Sequence, residues 1–162
     1  MKYKLEIKWA LIFIGTTLLW MVLEKIVGLH STHIDKHMYL TNLFAIPAIL
    51  IYVLAFKEKK KAHSNVLTFK DAVRCGLMIT FFVAILSPPA QWIISEIITP
   101  EYFPNVIAYS VASGYHNSLE EAQAYFNLEN YMFQSVVGAL VMGVITSVVV
   151  AFVIRSKKQS GS

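Results

Sequence analysis

The chain has 162 residues, 56% of them hydrophobic and 15% charged, with a formal net charge of +4. Its mean hydropathy is +0.56, and its apolar share exceeds the roughly 45–50% of a soluble domain. The apolar residues lie in long blocks, which argues against a water-soluble domain, and the single cysteine, Cys75, excludes an intramolecular disulfide.

A spanning helix needs about 20 largely apolar residues, and the sequence predicts four such spans within a single transmembrane domain. The first covers residues 9–29. Lys2, Lys4 and Lys8 precede it, as they would precede a secretory signal. The run is long and bulky, however, and no Ala-x-Ala-like site follows, so it reads as a retained span. Glu24 and Lys25 sit near its far end. Intramembrane charges are costly and ordinarily face a partner or a water-filled cavity. Glu24 is therefore the first residue to suspect of function.

The loop that follows carries His30, His33, Asp35 and His37. On a helix, His33 and His37 would share a face, with His30 one turn away. Three histidines so spaced fit a zinc site, whose catalytic form uses three protein ligands and one open position. No HExxH or paired-cysteine motif accompanies them, and a polar interfacial loop needs no metal, so both readings stand. The common side and short separation predict at least one histidine within reach of Glu24, at an outward-opening polar cavity.

The second span covers residues 39–56 and the third residues 73–98. Pro88-Pro89 is expected to break the third, because proline removes an amide hydrogen and clashes with the preceding turn. The break reads as a kink that closes the bundle. The alternative is exposed backbone of the kind transporters use at a substrate site. Gln91 and Glu96 lie beyond the prolines and, with His116 of the next loop, complete the candidate polar set. Residues 99–130 are predicted to form a cap of short interfacial helices. One is expected over 104–112, stopped by Gly114. Ser118 and Glu121 then open a capping box, with Leu119, Ala122 and Phe126 on one face. The tyrosines and phenylalanines of this region fit an interfacial aromatic belt, or a stacking platform for a sugar or lipid headgroup.

The fourth span covers residues 131–154 and carries Ser135, Ala139, Gly143, Ser147 and Ala151 at every fourth position. The third carries Gly76, Thr80 and Ala84 in the same way. Lipid gives apolar helices no hydrophobic reason to associate, and close approach over small residues supplies one. The third and fourth spans are the expected close pair, although the stripe would serve a homodimer equally well.

The loops sort by charge. The segment before the first span, the linker 57–74 and the tail from Arg155 hold 12 of the 14 Lys and Arg residues. Lys25 and Lys36 lie on the other side with seven of the ten acids. Cytoplasmic loops retain Lys and Arg, so the basic side, with both termini, is expected in the cytoplasm. The basic segments suit anionic lipid headgroups, and no nucleic-acid partner is expected.

Five strings are distinctive: LEKIVGLH (23–30), TNLFAIPAILIYVLA (41–55), ITPEYFPN (98–105), AQAYFNLENY (122–131) and GALVMGVITS (138–147). Together they make the chain resemble the bacterial family catalogued as domain of unknown function four-one-nine-nine. The resemblance implies a four-helix bacterial inner-membrane protein and no activity. No nucleophile elbow, phosphate loop or dinucleotide fingerprint is present. The expected function is a non-enzymatic bundle that binds a lipid, a small molecule or a protein partner at its outer face, with no cofactor. The alternatives are a metal-dependent membrane enzyme using Glu24 and the His30, His33 and His37 loop, and a transport component acting as an oligomer.

Overall fold

The computed structural model describes residues 3–156; Lys2, Lys157 and Lys158 of the charge argument lie outside them. Every regular element is helical among the described residues. They are α1 (Lys4–Ile26), α2 (Ile34–Leu40), a 3-10 turn (Thr41–Phe44), α3 (Ala45–Ala62), α4 (Phe69–Ile93) with a π-turn (Ile94–Ile98), α5 (Tyr102–Ala112), α6 (Leu119–Tyr125) and α7 (Leu128–Ile154). Four stretches are long and apolar enough to cross a membrane: Lys4–Ile26, Ile34–Ala62, Phe69–Ile98 and Leu128–Ile154. Their outward faces carry large apolar side chains such as Leu11, Leu19, Leu50, Val149 and Phe152. Patches of that size in a monomer mark contact with lipid or a partner.

Local chemistry fixes the helix starts. The Thr68 hydroxyl accepts from the Asp71 amide at 3.1 Å, and the Asn127 carbonyl oxygen accepts from the Asn130 amide at 2.9 Å. Ser118 accepts from the Glu121 amide at 3.1 Å. Each is a side-chain oxygen satisfying an amide that the first helical turn leaves free. The Glu121 carboxylate reaches back to the Asn117 amide at 2.9 Å, one residue before the cap. Ala122 is buried on α6, whereas Leu119 is exposed and does not share its packed face.

The sequence leads one to expect a break at Pro88-Pro89, but the backbone stays helical through both prolines. The helix runs through Pro88-Pro89 to Ile93 and then widens into the π-turn. Proline forfeits one backbone bond and crowds the preceding turn, but neighbouring helices and hydroxyl groups compensate within membrane helices. Here α4 packs against α1 on one side and α7 on another. The Ser87 hydroxyl donates to the Val83 carbonyl at 2.8 Å, one turn below the prolines. The distortion is displaced to the next turn, where a π-turn accommodates it.

The most extensive helix pair is α4 with α7. Gly76 faces Ser147 and Phe56, and Gly143 faces Thr80, so closely that a Cβ at either glycine would collide. The dry core is built from Trp9, Ile51, Tyr52, Phe56, Ile79 and Val150, among others. Those residues belong to the half of the bundle where Lys8 pairs with Glu58 and Lys60 donates to the Ile154 carbonyl. This is the basic end. On α3 and α7 the buried positions are confined to that half: Ile51, Tyr52, Ala55 and Phe56 on α3, and Gly143, Ser147, Val150 and Ala151 on α7. Towards the opposite end the two helices leave space between them.

Candidate functional site

At the end opposite the basic groups, α1 stops at Ile26 and the chain reverses. Gly28 takes φ +80°, a left-handed conformation that side chains disfavour. The Leu29 amide then caps the Glu24 carbonyl at 2.9 Å, and the His33 amide bonds the Gly28 carbonyl at 2.8 Å. This turn folds His30 back over Glu24. Asn105 of α5 clamps it there, donating from Nδ2 to the His30 carbonyl at 2.8 Å. The short α2 returns His37 to the same place.

The result is a buried carboxylate gripped by two imidazoles. Glu24 and His30 are each 2% exposed. His30 Nε2 donates to Glu24 Oε2 at 3.1 Å, and His37 Nε2 lies 3.4 Å from the same oxygen. Trp20 Nε1 donates to the other oxygen, Oε1. Lys25 turns away, donating to the Ile98 carbonyl at 2.6 Å and approaching Glu101 at 3.6 Å. Among the described residues, the only ion-pair partners of Glu24 are therefore the two histidines. An isolated buried charge is unfavourable unless paired and hydrogen-bonded, and this one is hydrogen-bonded by Trp20 and His30 with His37 close by.

Tyr102 of α5 closes the cluster from above. Its ring lies 5.2 Å from His30 and 5.1 Å from His37, centroid to centroid. Its hydroxyl is 3.5 Å from His37 Nδ1 and 3.3 Å from the Tyr131 hydroxyl. Burial pushes the Tyr102 phenol pKa up, so the proton stays on and the hydroxyl remains a donor. A hydrogen-bonded line thus runs from Tyr131 through Tyr102 to His37, whose Nε2 lies against Glu24.

Below the cluster lies a cavity of about 390 Å³ between α1, α3, α4 and α7. Its walls are mostly apolar, with Phe13, Phe44, Ile49, Val83 and Met142 among them. Small residues on α3 and α7, including Ala45, Ala48, Gly138 and Ala139, leave the space open. Thr17, Thr41, Asn42, Gln91 and Ser135 supply polar groups, and no lining residue is charged. Thr41, which lines the cavity, directly follows the helix that carries His37.

The candidate polar residues thus fall into separate places. Glu24, His30 and His37 converge, with ligand atoms all within 4.8 Å of one another. His33 does not join them: its Nδ1 lies 2.9 Å from the Thr32 hydroxyl, at an exposed position. Asp35 and Glu96 are exposed. Gln91 lines the cavity and donates to Ser95 at 3.0 Å. His116 packs against Tyr125 and Phe126, at 5.6 and 5.4 Å between ring centroids. The cavity is apolar and lies beneath the Glu24 cluster, whereas the sequence leads one to expect a polar cavity opening outward.

Sequence reasoning missed several participants. Thr41, Tyr102 and Asn105 lie in the distinctive strings 41–55 and 98–105, which assign no role to single residues, and Trp20 lies in none. At the basic end it also missed Glu6, which is 3% exposed and accepts from Lys59 at 2.8 Å. Glu6 lines a second cavity of about 300 Å³ with Lys59, His63, Asp71, Arg74 and Cys75. An acid among the lysines at the start of a span was the available signal.

The chain belongs to the family described as "Protein of unknown function (DUF4199)", whose model matches residues 8–156. No curated protein and no solved structure matches it.

Proposed function

We propose that this chain is a four-span protein of the bacterial inner membrane with both termini in the cytoplasm. We further propose that it binds one membrane-derived molecule, with an apolar chain and an uncharged polar end, in the cavity between α1, α3, α4 and α7. The orientation is supported by the gathering of basic residues at one end of the bundle, since cytoplasmic flanks retain Lys and Arg. The ligand class is supported by the cavity itself. Its volume of about 390 Å³ falls in the usual range for small-molecule sites, about 300–1,000 Å³. Its walls are apolar with a few hydroxyl and amide groups, the pattern by which such sites combine burial with orientation. The absence of charged groups from that lining disfavours a phosphate or carboxylate headgroup.

The test is extraction and mass spectrometry of lipid bound to protein purified in mild detergent. A bound species should be present in the wild type and in Leu50→Phe, whose site is 52% exposed and outside the cavity. It should be lost in Ala48→Phe, which fills the cavity. A wild type without a bound species, or equal retention in Ala48→Phe, would overturn the reading.

A further inference from the structure

We infer that Glu24, His30 and His37 form a binding site for a divalent first-row transition ion of the zinc class. The first argument is geometric. In a tetrahedral zinc site with bonds of about 2.0–2.1 Å, neighbouring ligand atoms lie about 3.3–3.4 Å apart. The two nitrogen–oxygen separations here are 3.1 and 3.4 Å, and all three ligand atoms fall within 4.8 Å. The carboxylate thus stands at ligand spacing from both imidazoles.

The second argument is charge. A carboxylate that is 2% exposed faces no lysine or arginine, because Lys25 is committed to Ile98 and Glu101. Both imidazoles present the same kind of atom, Nε2, to the same oxygen, Oε2. A dication at their meeting point would bind the two Nε2 lone pairs, with the protons on those nitrogens moving to Nδ1 or leaving to solvent, and would balance the acid. Nitrogen donors beside a single carboxylate select zinc-like ions over calcium or magnesium, which take oxygen ligands.

The third argument is the surrounding support. Metal-bound histidines ordinarily hydrogen-bond through the second ring nitrogen, and bound carboxylates are themselves held. His37 Nδ1 faces the Tyr102 hydroxyl at 3.5 Å, Trp20 holds the non-ligating oxygen of Glu24, and Asn105 fixes the His30 backbone. His37 has the least buried side chain of the three, at 18% exposure. The fourth coordination position therefore opens on its side, as in sites that keep a place for water or a substrate atom.

The inference stands apart from the cavity reading, since metal content is measured without reference to lipid. Full-length protein in detergent would be stripped with chelator, reloaded with Zn²⁺ or Co²⁺, and assayed by elemental analysis and visible absorption. The expected results are stoichiometric zinc and a tetrahedral cobalt spectrum in the wild type. His33→Ala and His116→Ala should leave both unchanged, while Glu24→Gln and His37→Ala should lose both. If Glu24→Gln fails to fold, His37→Ala, at the half-open edge, and the wild-type cobalt spectrum still decide. A wild type without stoichiometric zinc, an octahedral cobalt spectrum, or full retention in the His37→Ala protein would overturn it.

Discussion

Replacing Gly143 by alanine adds one methyl group where α7 crosses α4. A Cβ built there lies 2.9 Å from Thr80 Cβ and closer still to the Thr80 hydroxyl and methyl groups, nearer than real Cβ atoms approach other heavy atoms. Thr80 has little freedom to yield. It is 2% exposed, and its hydroxyl is bonded to Tyr52 at 2.8 Å. Forcing a methyl group into a packed contact typically costs about 1–3 kcal/mol, a roughly 5- to 140-fold fall in the folding constant at about 1.4 kcal/mol per tenfold. Gly-to-Ala in a helix carries an opposing gain of about 0.5–1 kcal/mol. Gly15→Ala isolates that gain, because nothing lies within 4 Å of its added Cβ. Reversible unfolding in mixed detergent–SDS micelles, followed by tryptophan fluorescence, should place Gly143→Ala below wild type or near it, and Gly15→Ala at or above it. The gap between the two variants should be about 1–3 kcal/mol. Equal stabilities would show that α4 and α7 do not meet at Gly143.

Three further outcomes are expected. Single cysteines at Ser64 and Ser118, in a Cys75→Ser background, should label from opposite sides of intact cells; labelling of both from outside would refute the proposed orientation. His30→Ala should destabilise the protein by about 3–5 kcal/mol, because it removes one partner of a buried pair and leaves the other charged. A loss under about 1 kcal/mol in the same unfolding assay, the range of exposed pairs, would place Glu24 in contact with water. Tyr102→Phe removes the hydroxyl beside His37 Nδ1 but no ligand, and should weaken zinc by about 10–100-fold in competition with a chromogenic chelator; unchanged affinity would remove Tyr102 from the metal's support.

The helices were legible because long apolar blocks announce themselves by length, and the small-residue stripes marked where α4 and α7 approach. The Glu24–His30 meeting was legible from the cost of an acid in an apolar run, with a histidine six residues on. Helical spacing grouped His33 with His37, yet His33 precedes α2 at φ −119° and ψ 32°, outside helical geometry. That one non-helical residue turns its ring towards Thr32. Tyr102 and Asn105 enter from α5, 65 or more positions from the histidines they meet, beyond any local period. Proline's penalty was read correctly as local chemistry, but packing on both flanks of α4 decided the outcome.

The two halves of the bundle answer different physical demands. Near the basic end, small residues let α4 and α7 touch and aromatic side chains fill what remains, so that half supplies the packing that substitutes for a hydrophobic drive in lipid. At the other end α3 and α7 leave a cavity between them, and a carboxylate and two imidazoles lie above it. Neither feature improves stability by itself: a buried charge carries a desolvation cost, and a cavity forfeits dispersion contacts. Structures depart from good packing mainly where function requires it, with compensation elsewhere. The chain itself ties the departures together, since α2, which carries His37, leads directly into the 3-10 turn Thr41–Phe44, and Thr41, Asn42 and Phe44 of that turn line the cavity. That turn is therefore the place where an occupant of the cavity and an ion at Glu24 would feel one another.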